Sequence, residues 1–294
     1  MNVLITGSSG FLGRHVTNFL KKNCAIFELL NPGTIQSIRL DKEIPNFIHS
    51  FDLVVHCAGK AHSIPYNEVQ SNNFFEVNVL GTQNLLKGLS VSFPPKQFVF
   101  ISSVAVYGRE EGVNIMESEK LSALDPYGLS KIQAEQTVID WCKKNNVVCT
   151  ILRLPLLVGK NPPGNLGAMI KVIQKGYYFN IGGGKAKKSM VLAEDVARFI
   201  PMIAPIGGIY NLTDGLHPQF TELISAIAKK KMFNLPLGIA KFLGFVGDLL
   251  GNKSPINSLK IKKITSDLTF EDSKARKLGW NPQSVIEYIQ VNDL

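Results

Sequence analysis

A glycine-rich turn near the amino terminus constrains this chain more than any other feature. Residues Val3 to Thr6 form a short apolar, β-branched run. Three glycines follow at steps of three, namely Gly7, Gly10 and Gly13. Apolar residues then recur at helical spacing through Val16 and Leu20, which predicts a strand, a tight turn and a helix. Glycine lets a turn approach a ligand closely, and free N–H groups at a helix start attract an anion. We therefore expect the pyrophosphate of a dinucleotide at this turn.

The remainder of the first half alternates short apolar strands with helices. The predicted strands lie at 25–30, 53–57, 97–102 and 147–154, and the predicted helices at 73–89 and 127–145. Continuous apolar strands between helices are typical of a parallel sheet covered on both faces. The interval 31–50 is short for a full strand and helix, so we expect a degenerate crossover there. The predicted fold class is α/β, with a Rossmann-like doubly wound parallel sheet.

Loops rich in glycine, proline and lysine dominate from residue 155 onward, with isolated helices predicted at 168–175 and 220–230. Such material, lying beyond the carboxyl edge of a sheet, usually builds the second wall of a cleft. We therefore predict two regions. A dinucleotide-binding domain spans 1–154 together with about 191–211, and a smaller C-terminal substrate-binding region spans 155–190 and 212–294.

The net charge of +9, from 32 Lys and Arg against 23 Asp and Glu, is spread thinly along the 294 residues. No nucleic-acid-binding motif accompanies it, so we expect a phosphorylated small substrate instead of nucleic acid. The four cysteines show no metal-ligand spacing, and no uncharged apolar run is long enough to span a bilayer. We expect a soluble, cytoplasmic protein without a metal. The apolar stretch 237–250 is interpreted as a buried amphipathic helix, with a membrane surface or a partner as the alternative.

The predicted chemistry lies at the start of the second long helix, where Tyr127 and Lys131 are four residues apart and share one face. An ammonium beside a phenol favours the phenolate. We therefore expect Lys131 to lower the pKa of Tyr127, so that Tyr127 can exchange a proton with a substrate oxygen. The preceding strand ends at Ser102 and Ser103, where a hydroxyl could share that oxygen.

Six segments together make the chain resemble the extended short-chain dehydrogenase/reductase family, in its nucleotide-sugar epimerase/dehydratase group. They are TGSSGFLG (6–13), VVHCAG (54–59), NVLGT (78–82), FISSVAVYG (100–108), DPYGLSK (125–131) and LGWNP (278–282). The resemblance implies hydride transfer between NAD or NADP and a ring carbon of a nucleotide sugar. It also implies a homodimer that pairs the two long helices.

The resemblance further implies roles for single residues. It makes Ser103, Tyr127 and Lys131 the catalytic residues, with Lys131 also holding the nicotinamide ribose. The other implied cofactor contacts are Gly7, Gly10, Phe11, Leu12, Gly13, Ala58, Gly59, Asn78 and Pro155. Lys60, just past the same strand as Gly59, is a further candidate for contact with the nicotinamide or the substrate. The implied substrate contacts are Ser103, Asn165, Leu166 and Lys188.

Three departures from the family pattern bear on function. Asn31 stands where NAD-binding members place an acid on the adenosine ribose, and Arg39 lies a few residues on, so both NAD and NADP stay possible. Val104 and Ala105 replace the Asp-Glu pair of the dehydratases, which argues against 4,6-dehydration. Leu156 replaces an asparagine that contacts the substrate in sugar 4-epimerases.

Three functions are consistent with these residues. The preferred one is a UDP-hexose 4-epimerase. The second is an NAD(P)H-dependent 4-ketoreductase of a UDP-4-keto-6-deoxyhexosamine in surface polysaccharide synthesis, since segments 187–191, 257–259 and 278–280 are similar to such reductases. The third is a non-catalytic NAD(P)-binding protein on the same fold. The intact serine, tyrosine and lysine argue against the third.

Overall fold

The computed structural model describes residues 1–29, 37–61, 67–176, 178–228, 233–250 and 257–292. The strands within these ranges are β1 Asn2–Thr6, β2 Ala25–Glu28, β3 Leu53–His56, β4 Gln97–Ser103, β5 Gly112–Ile115, β6 Val148–Leu154, β7 Leu156–Val158, β8 Asn180–Ile181, β9 Met190–Leu192, β10 Gly208–Asn211, β11 Asn234–Leu235 and β12 Leu268–Phe270. The α-helices are α1 Phe11–Leu20, α2 Glu68–Phe75, α3 Gly81–Val91, α4 Pro126–Lys144, α5 Gly164–Gln174, α6 Ala193–Ile203, α7 Phe220–Ala228, α8 Leu237–Leu249, α9 Ser258–Thr265, α10 Ser273–Arg276 and α11 Val285–Val291.

A six-stranded parallel sheet forms the centre of the molecule, in the order β10-β6-β4-β3-β1-β2. Its strands alternate with helices that cover both faces, so the predicted doubly wound α/β fold is confirmed. The pairing places Thr6 of β1 beside His56 of β3, and Ser103 of β4 beside Leu154 of β6. The carboxyl ends of neighbouring strands therefore meet at one edge, where ligands bind in open α/β sheets.

Two apolar clusters hold the helices onto the sheet. Val3 and Ile5 point into one cluster and Leu4 into the other, because successive side chains of a strand face opposite sides. The first cluster packs α1 and α6 on one face, and the second packs α3 and α4 on the other. This burial on both faces explains why the strands read as continuous apolar runs.

Several element boundaries differ from the sequence prediction. The helix predicted at 73–89 begins earlier, with α2 at Glu68, and continues through a π-helical turn, Glu76–Leu80, into α3. The helix predicted from residue 168 begins at Gly164. Within the described part of the crossover, 37–50, there is neither helix nor strand, in agreement with a degenerate connection.

Three two-stranded parallel pairs lie outside the central sheet, namely β5 with β12, β7 with β9, and β8 with β11. None of the helices in the described ranges is long and apolar enough to cross a membrane. The prediction that 237–250 is a buried amphipathic helix was wrong in part. The segment does form α8, but its large apolar side chains are exposed while Ala240, Gly244 and Gly247 form the buried face.

Candidate active site

The glycine turn after β1 has room for glycine alone at two positions. Gly7 has a φ of +67°, and a Cβ atom there would lie 2.6 Å from the Ala58 nitrogen. A Cβ on Gly13 would lie 2.0 Å from the Gly7 carbonyl oxygen. The Gly10 N–H donates to that same oxygen at 2.9 Å, which closes the turn. Phe11 and Leu12 begin α1, so their N–H groups belong to the first turn, where a helix has no backbone acceptor for its donors.

A second glycine keeps the neighbouring strand end open. Gly59 is exposed just after β3, and a Cβ there would lie 3.1 Å from the Asn78 Oδ1 and 3.2 Å from the Lys131 Nζ. The backbone of Gly59 can therefore be approached closely by a ligand next to the lysine ammonium. Together with the turn at Gly7, this cradle fits an extended dinucleotide lying across the ends of β1 and β3.

A buried histidine joins these strand ends. The His56 Nδ1 lies 2.5 Å from the Thr6 Oγ1, and the His56 Nε2 lies 2.9 Å from the Thr82 Oγ1. Since Thr82 donates its hydroxyl proton to the Asn78 carbonyl oxygen, it accepts from Nε2, and Thr6 donates to Nδ1. Burial lowers the pKa of His56 to about 3, which keeps the ring neutral. We conclude that His56 positions the cofactor edge and takes no part in proton transfer.

Asn78 clamps the Ala58–Lys60 loop to α4, the helix that carries Tyr127 and Lys131. Its Oδ1 accepts from the Lys60 N–H at 2.7 Å, and its Nδ2 donates to the Lys60 carbonyl at 3.1 Å and to the Ser130 Oγ at 2.9 Å. Asn78 lies in the π-helical turn, a distortion that often occurs at functional sites. The structure therefore gives Asn78 a positioning role beside the predicted cofactor edge.

Ser103 and Tyr127 occupy adjacent element ends. Ser103 ends β4, and its Oγ accepts from the Ala105 N–H at 3.2 Å. Tyr127 lies in the first turn of α4, whose start is fixed by Pro126 and by Asp125, which accepts from the Gly128 N–H at 3.0 Å. The Tyr127 ring is half-buried, packs against Phe74 with the ring centroids 5.9 Å apart, and carries a hydroxyl that interacts with Ser103.

Lys131 is buried one helical turn further along. Its Nζ donates to the Ile101 carbonyl oxygen at 2.9 Å and lies 4.8 Å from the centre of the Phe100 ring. Burial lowers the pKa of Lys131 to about 8, against the opposing field of Glu135. Lys131 therefore loses its proton at a pH only slightly above neutral.

The expectation that Lys131 lowers the pKa of Tyr127 is wrong for this structure. Burial raises the pKa of Tyr127, the interaction with the Ser103 hydroxyl opposes that rise, and Asp125 adds to it. Lys131 does not contribute, because its ammonium is directed at the Ile101 carbonyl. The phenol is thus a neutral proton donor in this arrangement, with Ser103 as its immediate hydroxyl neighbour.

A buried ion pair behind the site was not predicted. Arg153 on β6 and Glu135 on α4 are almost fully buried, with the Arg153 Nη2 2.7 Å from the Glu135 Oε2. The Glu135 Oε1 accepts from the Ser102 Oγ at 2.5 Å, and the Arg153 Nη1 donates to the Tyr107 hydroxyl at 3.1 Å. The sequence signal was a single arginine within the apolar strand β6, which by itself does not reveal a partner.

Three of the predicted substrate contacts, Asn165, Leu166 and Lys188, belong to the region predicted to bind the substrate. Leu166 is buried in an apolar cluster with Val158 and Met190, so only its backbone could contact a ligand. The segment of Asn165 and Leu166 forms the first turn of α5, whose N–H groups suit a diphosphate. Lys188 is half-buried with a lowered pKa, chiefly because of burial.

The remaining predicted contacts are placed as follows. The Lys60 Nζ donates to the Asn73 Oδ1 at 2.6 Å and lies over the Phe74 ring, next to Tyr127. Pro155 is half-buried between β6 and β7. Asn31 lies outside the described residues. Arg39 is exposed and paired with Asp41, whose hydrogen bond raises the pKa of the guanidinium.

This geometry defines a class of protein. A glycine turn opens the cofactor edge of a doubly wound sheet, and a serine, a tyrosine and a buried lysine converge on that edge, as in short-chain dehydrogenases/reductases. The chain belongs to the NAD dependent epimerase/dehydratase family, whose family model matches residues 3–212. It is an enzyme of that family, with NAD or NADP as its cofactor.

Two curated relatives cover nearly the whole chain. The chain is 28% identical over 305 residues to the N-acetyl-alpha-D-glucosaminyl-diphospho-ditrans,octacis-undecaprenol 4-epimerase of Escherichia coli O157:H7, with 95% of this chain and 90% of that protein covered. It is 27% identical over 319 residues to a UDP-glucose 4-epimerase of Vibrio cholerae, covering 97% and 92%. Among solved structures, the UDP-glucose 4-epimerase of Thermotoga maritima with UDP-glucose matches with a TM-score of 0.73 and 19% identity, over 99% of this chain and 97% of that one.

Proposed function

We propose that this enzyme inverts carbon 4 of a hexose that is carried on a diphosphate, as a UDP-hexose 4-epimerase. The observation that carries the proposal is the placement of Ser103, Tyr127 and Lys131 beside the open backbone at Gly59. The similarity to 4-epimerases over almost the full length supports the same reaction. The chain shows no acid beside Ser103 that would protonate a leaving hydroxyl, since Val104 and Ala105 follow it.

The residues divide the work as follows. A bound nicotinamide supplies the hydride acceptor and donor. Because burial keeps the Tyr127 phenol neutral, it must first release its own proton. As the phenolate, Tyr127 takes the proton of the 4-hydroxyl and returns it to the oxygen after the ketone has turned over, while Ser103 shares a hydrogen bond with that oxygen. The Lys131 ammonium, next to Gly59, would hold the ribose side of the cofactor. Free N–H groups at the start of α5 and the charge of Lys188 hold the diphosphate.

The test is turnover by purified protein without added cofactor. A 4-epimerase regenerates its cofactor within each cycle, so we expect conversion of UDP-glucose to UDP-galactose, or of the N-acetyl derivatives, with NAD retained by the protein. Extraction and chromatography of the bound nucleotide identify NAD or NADP. Stoichiometric loss of NADPH with a UDP-4-keto-6-deoxyhexosamine, and no epimerisation, would contradict the proposal in favour of the 4-ketoreductase.

The carrier of the sugar could also be a polyprenyl diphosphate. The diphosphate is common to both kinds of substrate, and the Escherichia coli relative is named for an undecaprenol-linked sugar. The two carriers are distinguished by supplying the same N-acetylhexosamine on UDP and on a short polyprenyl diphosphate, and comparing kcat/KM. A preference above tenfold for either one assigns the carrier.

The homodimer remains a proposal. We infer that α3 and α4 pair with those of a second copy, because both helices lie on one outer face of the sheet and pack against each other. Sedimentation equilibrium would give the mass of the particle, and a monomer at micromolar concentration would contradict this pairing.

A further inference from the structure

Helix α8 turns its small residues towards the protein and its large apolar residues towards the solvent. Ala240, Gly244 and Gly247 face the protein, and a Cβ on Gly244 would lie 2.6 Å from the Ile261 Cδ1 of α9. The small residues therefore let α8 and α9 approach closely. As a result, the packed face of α8 uses almost none of the large side chains that the helix carries.

Large apolar side chains cover the opposite face. Phe242, Phe245 and Leu249 follow at steps of three and four, so they share one side of the helix, with 65%, 59% and 73% of their surfaces exposed. Ile239, Leu243 and Leu250 border them and are also exposed. We call these six residues the α8 apolar face. In water, an apolar surface of this kind marks an interaction site.

The positive charge of the sequence around α8 favours an anionic partner. Residues 229–263 hold eight lysines and one acid, Asp248, so most of the net charge of +9 falls in this stretch. The one acid, Asp248, caps the start of α9, where its Oδ1 accepts a hydrogen bond from the Ser258 N–H. Glu110 and Glu111 offset two of the charges through ion pairs with Lys263 and Lys262. On α8 itself, Lys241 is exposed beside the apolar face.

We propose that the α8 apolar face docks this enzyme on an anionic phospholipid membrane. An amphipathic helix with aromatic residues on one side, within a lysine-rich stretch of sequence, can lie in the plane of the bilayer interface, where apolar burial and attraction to anionic headgroups act together. α8 has 13 residues, and no helix in the described ranges could cross the membrane, so docking is peripheral.

Local contacts connect α8 and α9 to neighbouring elements. The ion pairs of Lys262 and Lys263 tie α9 to the loop after the Ser103 segment, and Gly182 packs against Leu237 at the start of α8. Docking through α8 does not depend on which hexose or carrier the site accepts.

The experiment is cosedimentation of the full chain with vesicles of phosphatidylethanolamine and phosphatidylglycerol, and with vesicles of phosphatidylcholine alone. We expect sedimentation with the anionic vesicles, little with the neutral ones, and release at about 1 M salt, where charges are screened within about 3 Å. The variant Phe242→Ser/Phe245→Ser/Leu249→Ser should lower the partition coefficient at least tenfold, and Lys241→Glu should lower it by a smaller factor. The control, Ile48→Ser/Val91→Ser/Val291→Ser, removes three still more exposed apolar residues elsewhere, each 83–85% exposed, and should bind normally.

Three outcomes would overturn the proposal. These are wild-type protein that stays in the supernatant with anionic vesicles, equal binding by the α8 triple variant, and a triple variant that changes from dimer to monomer in sedimentation equilibrium. The last result would assign the face to a second copy of the chain. Epimerase turnover of a soluble UDP-hexose serves as the folding check, so failure of the proposed reaction and failure of docking are seen separately.

Discussion

Tyr127 is the residue on which the proposed proton transfer depends. Replacing it by phenylalanine removes the hydroxyl and keeps the ring against Phe74, so we expect folding and cofactor binding to persist. Turnover should fall by about two to four orders of magnitude, the usual contribution of a positioned acid or base. Steady-state kinetics would measure this, with Tyr288→Phe on α11 as the control. Activity near that of the wild type in Tyr127→Phe would exclude Tyr127 as the acid/base.

Lys131 shows how function and stability conflict at one residue. Its pKa is about 8 in the folded protein against 10.5 ordinarily, so between these values the unfolded chain binds more protons and stability rises with pH. Below pH 8 the buried ammonium lowers the free energy of unfolding by at most about 3 kcal/mol. Lys131→Met should therefore be more stable than the wild type at pH 7, less the lost hydrogen bond to Ile101, and inactive.

The measurement is urea denaturation of both proteins at pH 7 and at pH 10. The advantage of Lys131→Met should shrink as the pH rises through 8 towards 10.5, because the wild-type lysine then becomes neutral inside the fold. An advantage that is independent of pH would show that packing, and not the buried charge, causes the difference.

At the level of whole elements, strands and helices were predictable where burial is uniform. β3 and β4 are largely buried, so their sequences are mostly apolar. The turn after β1 was predictable from its three regularly spaced glycines. The pairing of Arg153 with Glu135 was not predictable, because it joins two elements 18 positions apart through the fold. The outward face of α8 was misjudged, since apolar periodicity does not tell whether the large or the small residues face the protein.

The turn between β1 and α1 should tolerate no side chain at its third glycine. Gly13→Ala places a methyl group 2.0 Å from the Gly7 carbonyl oxygen. That oxygen is a backbone atom, and the methyl group has no rotamer by which to move away from it. We expect a loss of about 1–3 kcal/mol in the free energy of unfolding and at least tenfold weaker dinucleotide binding, because the turn must open. Chemical denaturation and isothermal titration with NAD or NADP would measure these effects.

Gly238→Ala on α8 is the matched control for that substitution. A Cβ at position 238 meets no atom within 4 Å, so alanine should be neutral or stabilise the helix by up to about 1 kcal/mol. Equal denaturation midpoints for the two glycine variants would show that the turn relaxes more easily than its close contacts indicate.

Across the whole molecule, the two predicted regions share one core. Trp280 and Ala275, near the carboxyl terminus, pack in the same cluster as Val3, Val16 and Phe199. The Trp280 Nε1 donates to the Thr213 carbonyl at 2.9 Å, which ties the segment before α11 to the residues just after β10. The boundary between the two predicted regions therefore separates predicted ligand sites, but it does not separate two folding units.

The shared core predicts a single cooperative unfolding transition that responds to both ligands. The proposed function places NAD or NADP in the first region and UDP in the second, and each ligand would stabilise the native state by about 2.7 kcal/mol at 100 times its dissociation constant. In calorimetry, either ligand alone should raise the one midpoint by several degrees, and both together should raise it further. Trp280→Ala should split the single transition into two, one raised by NAD or NADP and the other by UDP, because the segment around residue 280 then no longer packs in the first cluster. Two transitions in the wild type, with UDP moving only one, would show that the regions unfold independently despite their common packing.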